Sequence, residues 1–284
     1  MFPHIPDVPV TAPTPKLHTL ERSGDGQKNA LTGQWPNRIF ETVGAAELHS
    51  FSVPSPRARA LVYVGGGYTK LMYDKEGVEV ALWLATLGIE AHILVHRLPG
   101  TPDGAGGLFG ADIALQDGLL ALDHLSRQTP QLPLIHFGLS SGGHLSGVMA
   151  CQPHALQSKG ALIAYAPLNT NHRDHKFPVG KPDFPPAEKQ AFYDAWPIGL
   201  AEHPHGCPSV PVFLAYALLD RQVAVENALR FAQTASALEL DYDLHVFSKA
   251  PHGFALRHSD GSHEAWPSLA TRWIDRVLAT DDQI

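Results

Sequence analysis

Ser140 stands at the centre of Gly-Leu-Ser-Ser-Gly, residues 138–142, between two apolar runs. A serine hydroxyl becomes a useful nucleophile only when it is held clear of the backbone and a base can take its proton. Small residues two before and two after it, here Gly138 and Gly142, let a strand turn sharply into a helix with the hydroxyl exposed. The amides and dipole of that helix then face any oxyanion formed at the turn. Centring on Ser141 would put Leu139 and Gly143 in the flanks, so Ser140 is the candidate nucleophile. The rival use of such a turn, dinucleotide binding, needs a second glycine where Ser140 stands and a place on the first strand. Neither condition holds.

A base and an acid must follow. "YALLDRQVAVEN" places Asp220 at the end of a strand, and "FSKAPHGFAL" places His252 in the turn after the next one. Nucleophile, acid and base in that order, each at the carboxyl end of a strand, form the arrangement in which His252 takes the Ser140 proton and Asp220 fixes the imidazole. Taken singly, Asp220 also reads as a helix N-cap and His252 as a solvated loop histidine. Earlier, "VYVGGGYTK" ends a strand in three glycines, whose amides can approach a substrate oxygen with no Cβ in the way. Gly66 and Gly67 are the candidate donors there, with the Ser141 amide as their partner. Tyr68, beside them, is a candidate for touching the acyl group. His144, one turn beyond Ser140, either lines the site or packs beside the turn.

The elements that position these residues alternate. Strand patterns at "RALVYV", "EAHILVH", "LPLIHFG", "GALIAYAP", "VPVFLAYAL" and "DYDLHVFS" are separated by helical ones, among them "EGVEVALWLATLG" with Gly88 at its C-cap. Such alternation predicts right-handed crossovers and a mainly parallel sheet covered on both faces, a three-layer αβα sandwich. "IFETV" and "LHSFSV" are further short strands. Residues 1–284 read as a single domain, with a Pro-rich arm over 1–38 and a cap-like insertion over 168–208. That insertion carries Phe177, Phe184, Phe192, Tyr193 and Trp196, which are expected to roof the nucleophile, Trp196 as a substrate contact.

A net charge of −7 and the absence of a basic face argue against nucleic acid. No apolar run approaches the ~18 residues of a membrane span. The N-terminus has neither a basic segment nor an apolar core of the signal-peptide kind, and two cysteines are too few for a disulfide framework, so a cytoplasmic setting is expected. No metal or other cofactor is called for. His172 and His175 in "HRDH" lack the spacing of a zinc site and read as solvated loop. Oligomeric state is not legible.

The stretches "GGGY", "EGVEVALWLATLGIEAHIL", "LQD", "GLSSGGHL", "DRQVAVEN" and "PHGFAL" together resemble the α/β-hydrolase esterases grouped around acetylxylan and feruloyl esterases. The likeness spans roughly residues 59–278, and by position Ser140, Asp220 and His252 fall on that family's triad. Val64, where the family often has Pro or His, and Ala224, within its usual V-P-V, depart from it. The resemblance implies an α/β-hydrolase fold and a serine carboxylesterase, with acetylated or feruloylated carbohydrates among the candidate substrates, while the apolar insertion over a polar turn describes a pocket for short acyl groups. Amidase or lactonase chemistry would use the same triad. A non-catalytic binder would typically lack one of its members. A prolyl-oligopeptidase-type peptidase usually carries a large extra domain, for which this chain has no room.

Overall fold

The computed structural model describes residues 7–22, 28–129, 131–156, 158–203, 206–257 and 260–279. Strands β1 (Lys16–Arg22), β4 (Ala45–Phe51), β5 (Ala58–Tyr63), β6 (Ile89–Val95), β7 (Leu134–Leu139), β8 (Ser158–Ala164), β9 (Val212–Ala217) and β10 (Tyr242–Phe247) form one eight-stranded sheet, in the order β1-β4-β6-β5-β7-β8-β9-β10. From β6 onward in that order every pair is parallel, while β4 runs antiparallel to both of its neighbours. A separate two-stranded ribbon pairs β2 (Ala30–Thr32) with β3 (Ile39–Thr42).

The period-2 alternation of each strand divides its side chains between two cores. Val62, Phe137 and Phe213 point to one face, where Trp83 of α1 (Glu79–Thr86) and Trp266 and Trp273 of α6 (Trp266–Ala279) cover them. Leu61, Leu134 and Leu214 point to the other, covered from α2 (Ile113–Gln128), α3 (Ser141–Ala150) and α5 (Glu226–Ala237). Both faces are therefore dry, which is why the central strands read as continuous apolar runs. No helix among the described residues is long and apolar enough to cross a membrane.

Within the expected Pro-rich arm over residues 1–38, Lys16–Arg22 is a strand of the main sheet rather than a surface strap. Arg97 pins it, bonding Glu21 at 2.6 Å and the fully buried Asp117 of α2 at 2.5 Å. Edge pairing of this kind depends on a partner distant in sequence, and local patterning did not reveal it. Gly88 does close α1, at φ +71°. Within the expected insertion, the chain forms α4 (Ala187–Ala195) and one 3-10 turn, Arg173–His175.

Candidate active site

β7 ends at Leu139 and α3 begins at Ser141, so Ser140 alone makes the turn, at φ +53° and ψ −127°. A non-glycine residue held there is strained, and such strain persists only where its surroundings over-determine it. They do so by close approach: a Cβ on Gly142 would strike the Tyr63 carbonyl of β5, so α3 can lie this near the sheet only with glycine there.

His252 follows β10 and brings Nε2 to 3.3 Å from Ser140 Oγ. Its Nδ1 lies 2.6 Å from Oδ2 of Asp220, whose side chain is 1% exposed. Asp220 Oδ1 accepts the Gln222 and Val223 amides at 2.8 and 2.9 Å, so the carboxylate holds its own loop and the imidazole together. It is not the helix cap: α5 starts later, with Val225 at its N-cap position. Tyr165 packs edge-on to the His252 ring, with centroids 5.3 Å apart. Behind it the loop is tied down by Arg257, which forms an ion pair with Glu79 of α1.

The glycine loop leaves β5 beside this turn. Gly66 sits at φ +135°, and a Cβ there would collide with the Lys70 carbonyl. Its N–H has no partner among the described residues, and neither has that of Ser141 at the start of α3. The Gly67 N–H is different, because it donates to Ser141 Oγ at 2.8 Å. That bond removes Gly67 from the free donors named by the sequence and gives Ser141 a second task, holding the loop against α3.

Glu76, which sequence patterning absorbs into a helix face, is the hidden anchor of that loop. It lies on one turn of π-helix, Asp74–Val78, ahead of α1, and is 4% exposed. Its Oε2 accepts the Gly65 N–H at 2.8 Å and its Oε1 accepts the Tyr165 hydroxyl at 3.3 Å. Burial raises its pKa, opposed by the Gly65 bond and by nearby Lys75 and His252.

The three side chains expected to touch substrate do not reach the cleft. Tyr68, at φ +57°, turns its ring beneath the loop, and its hydroxyl meets His144 Nδ1 at 2.9 Å. His144 Nε2 meets the Trp196 carbonyl at 2.8 Å. A carbonyl only accepts, so Nε2 carries the proton and Nδ1 accepts from Tyr68. Burial lowers the His144 pKa to about 4, keeping it neutral. Tyr68, His144 and Trp196 thus form a brace joining the glycine loop, α3 and the end of α4. The 168–208 segment instead presents Phe184, Lys189 and Tyr193 to a cleft of about 490 Å³ that holds Ser140 and His252. Phe192 is fully buried and Phe177 is 41% exposed, so neither roofs the nucleophile.

"HRDH" is not simply solvated loop. His172 is 6% exposed, and its ring lies with those of His175 and His203 so that their nitrogens fall within 4.8 Å of one another. Arg230 donates to His175 Nδ1 at 3.1 Å, so Nε2 carries the proton and donates to Glu202 at 2.9 Å. His175 then has no lone pair left for a metal.

An elbow serine between strand and helix, with an acid and a histidine on later strand ends, defines an α/β hydrolase. The chain belongs to the prolyl oligopeptidase family, whose model matches residues 113–281. Only a peptidase of this type is set aside by the sequence, and the match falls within the α/β fold itself. The acetylxylan esterase of Xylanibacter ruminicola is 25% identical over 250 residues, 83% of this chain and 49% of that protein. The chain therefore spans about half the length of this curated relative. Among solved structures, the acetyl ester-xyloside bifunctional hydrolase of Caldicellulosiruptor lactoaceticus superposes with a TM-score of 0.64 at 20% identity, over 95% of this chain and 98% of that one. The esterase Est2 of Thermogutta terrifontis, with propionate bound, gives 0.64 at 16% identity, over 94% and 95%. At these identities both speak for the fold.

Proposed function

We propose that the chain is a serine carboxylesterase that hydrolyses short-chain acyl esters of small molecules. The observation that carries this reading is the continuous line from Asp220 through His252 to Ser140, at 2.6 and 3.3 Å, beside two unpartnered amides. His252 takes the proton from Ser140 Oγ as the oxygen attacks the ester carbonyl. The Gly66 and Ser141 amides receive the developing oxyanion. His252 then returns the proton to the leaving alcohol, and a second passage with water releases the acid.

An acetylxylan esterase relative and an acetyl ester-xyloside hydrolase neighbour favour acetylated carbohydrates among the substrates. Amides and lactones would be attacked by the same groups, and a phosphonate probe separates any such catalyst from a mere binder. The test is hydrolysis of 4-nitrophenyl acetate, the matching acetanilide and acetylated xylo-oligosaccharides, with phosphonate labelling in parallel. Ester cleavage with labelling at Ser140 supports the reading. Labelling elsewhere, or anilide cleavage without ester cleavage, overturns it.

A further inference from the structure

We infer that the cleft accepts an ester bearing an anionic group, for which a carboxylate is the probe, bound by Lys189 with Lys181 and Lys75 nearby. The reaction in this statement rests on the esterase reading, while the anion site rests on the cations themselves. The chain carries a net charge of −7 and only nine lysines, yet Lys70, Lys75 and Lys189 all line the cleft that holds Ser140. Among the described residues the one carboxylate in that lining, Glu76, is already engaged by Gly65 and Tyr165.

Elsewhere many of the protein's cations are paired. Arg38, Arg57, Arg97, Arg173, Arg257 and Arg276 each meet a carboxylate. Lys189 meets none among the described residues. Instead its ammonium and that of Lys181 lie over the same Phe184 ring, 5.0 and 4.4 Å from its centroid. Each gains some cation–π attraction, but two half-buried ammonium groups over one ring repel each other. Burial lowers the pKa of Lys189 and Lys181, and Lys181 lowers that of Lys189 further. A bound anion removes this conflict, and no carboxylate among the described residues pairs with either ammonium. Lys189 Nζ is 3.6 Å from where a Cβ on Gly67 would stand, and Lys75 Nζ is 3.5 Å from the same point on Gly253, next to His252. The positive charges thus flank the reacting centre on both the glycine-loop side and the histidine side. Among the described residues the cleft lining has no arginine, so an anion there is met by the point charges of ammonium groups.

The test compares matched esters in kcat/KM: mono-4-nitrophenyl succinate against 4-nitrophenyl butyrate for an anionic acyl half, and 4-acetoxybenzoate against phenyl acetate for an anionic alcohol half. At least one anionic ester should be preferred by about tenfold or more, as a charged hydrogen bond allows. That preference should collapse in Lys189→Met, persist in Lys189→Arg and shrink as salt is raised. Neutral esters favoured in both pairs, or a preference indifferent to Lys189→Met, would overturn the inference while leaving the esterase reading intact. If no ester is hydrolysed, that reading fails instead, and calorimetric titration of the Ser140→Ala protein with the two anionic esters decides. Binding lost in Lys189→Met upholds the anion site, and no binding refutes it.

Discussion

The Oδ2 oxygen of Asp220 lies 2.6 Å from His252 Nδ1, while its Oδ1 oxygen accepts two amides of its own loop at 2.8 and 2.9 Å. Each oxygen has a separate task, so one substitution can divide them. Asp220→Asn keeps an oxygen for the amides but turns an NH₂ toward a ring nitrogen that must donate, forcing the wrong tautomer. kcat should fall by ~10⁴ with little change in melting temperature. A sharp loss of stability with kcat of the folded fraction unchanged would reduce Asp220 to a loop brace.

The two adjacent serines should separate in the same way. Ser140→Ala removes the attacking oxygen and should lower kcat by ~10⁴ or more. Ser141→Ala keeps the backbone N–H proposed as an oxyanion donor and loses only the acceptor of the Gly67 bond. Its kcat should fall by no more than about tenfold, the order of one neutral hydrogen bond. Steady-state kinetics of the two variants decides, and equal losses would mean that Ser141 shares the chemistry.

Glu76 holds the glycine loop through Gly65. Glu76→Ala removes the acceptor that fixes this loop, so kcat should drop about tenfold to a hundredfold with KM little changed. That is less than the 10²–10³ cost of deleting a donor outright. Glu76→Gln retains one acceptor oxygen and should recover most of the loss. If both variants match the wild type, the Gly65 contact is irrelevant to rate.

Acid should destabilise the fold through three buried histidines. Burial lowers the pKa of His96 and His144 to about 4 and that of His136 to about 3, from 6.5. Between those values the unfolded chain binds protons that the folded one refuses. The stability they contribute is therefore complete above about pH 6.5 and is lost as pH falls toward 4. Each adds a slope approaching about 1.4 kcal/mol per pH unit in that window. Urea unfolding at stepped pH measures it, and a flat profile from 6.5 to 4 would contradict the assigned neutrality.

The parts of the site legible in sequence are those whose chemistry constrains local chain geometry. The glycines around Ser140 are demanded by a turn that no larger residue could make, and strand ends locate Asp220 and His252 because a parallel sheet gathers its carboxyl ends on one side. Side-chain direction is another matter. Tyr68 sits beside the catalytic loop in sequence, yet its positive φ sends the ring inward to His144. Lys189 and Glu76 look like ordinary charges on helix faces, and only tertiary packing turns the one to the cleft and buries the other. Strand β1 escaped for a related reason, since its ladder and its Arg97 anchor lie far along the chain.

Acyl length is the remaining expectation. The cleft of about 490 Å³ is closed on one side by the glycine loop and on another by Phe184 and Tyr193 of the 168–208 segment. Tyr193 is itself fixed, 3% exposed and packed against Tyr68 and His144, so this wall cannot retreat easily. Each methylene that fits such a wall contributes about 1–3 kcal/mol of discrimination, and each that does not must displace packed side chains. Among neutral 4-nitrophenyl esters, acetyl to butyryl should therefore be cleaved best, with kcat/KM falling steeply by octanoyl. The chain-length series at fixed pH measures this directly. A maximum at decanoyl or beyond would require a trough where the structure places Phe184 and Tyr193, and the short-chain reading would have to be given up.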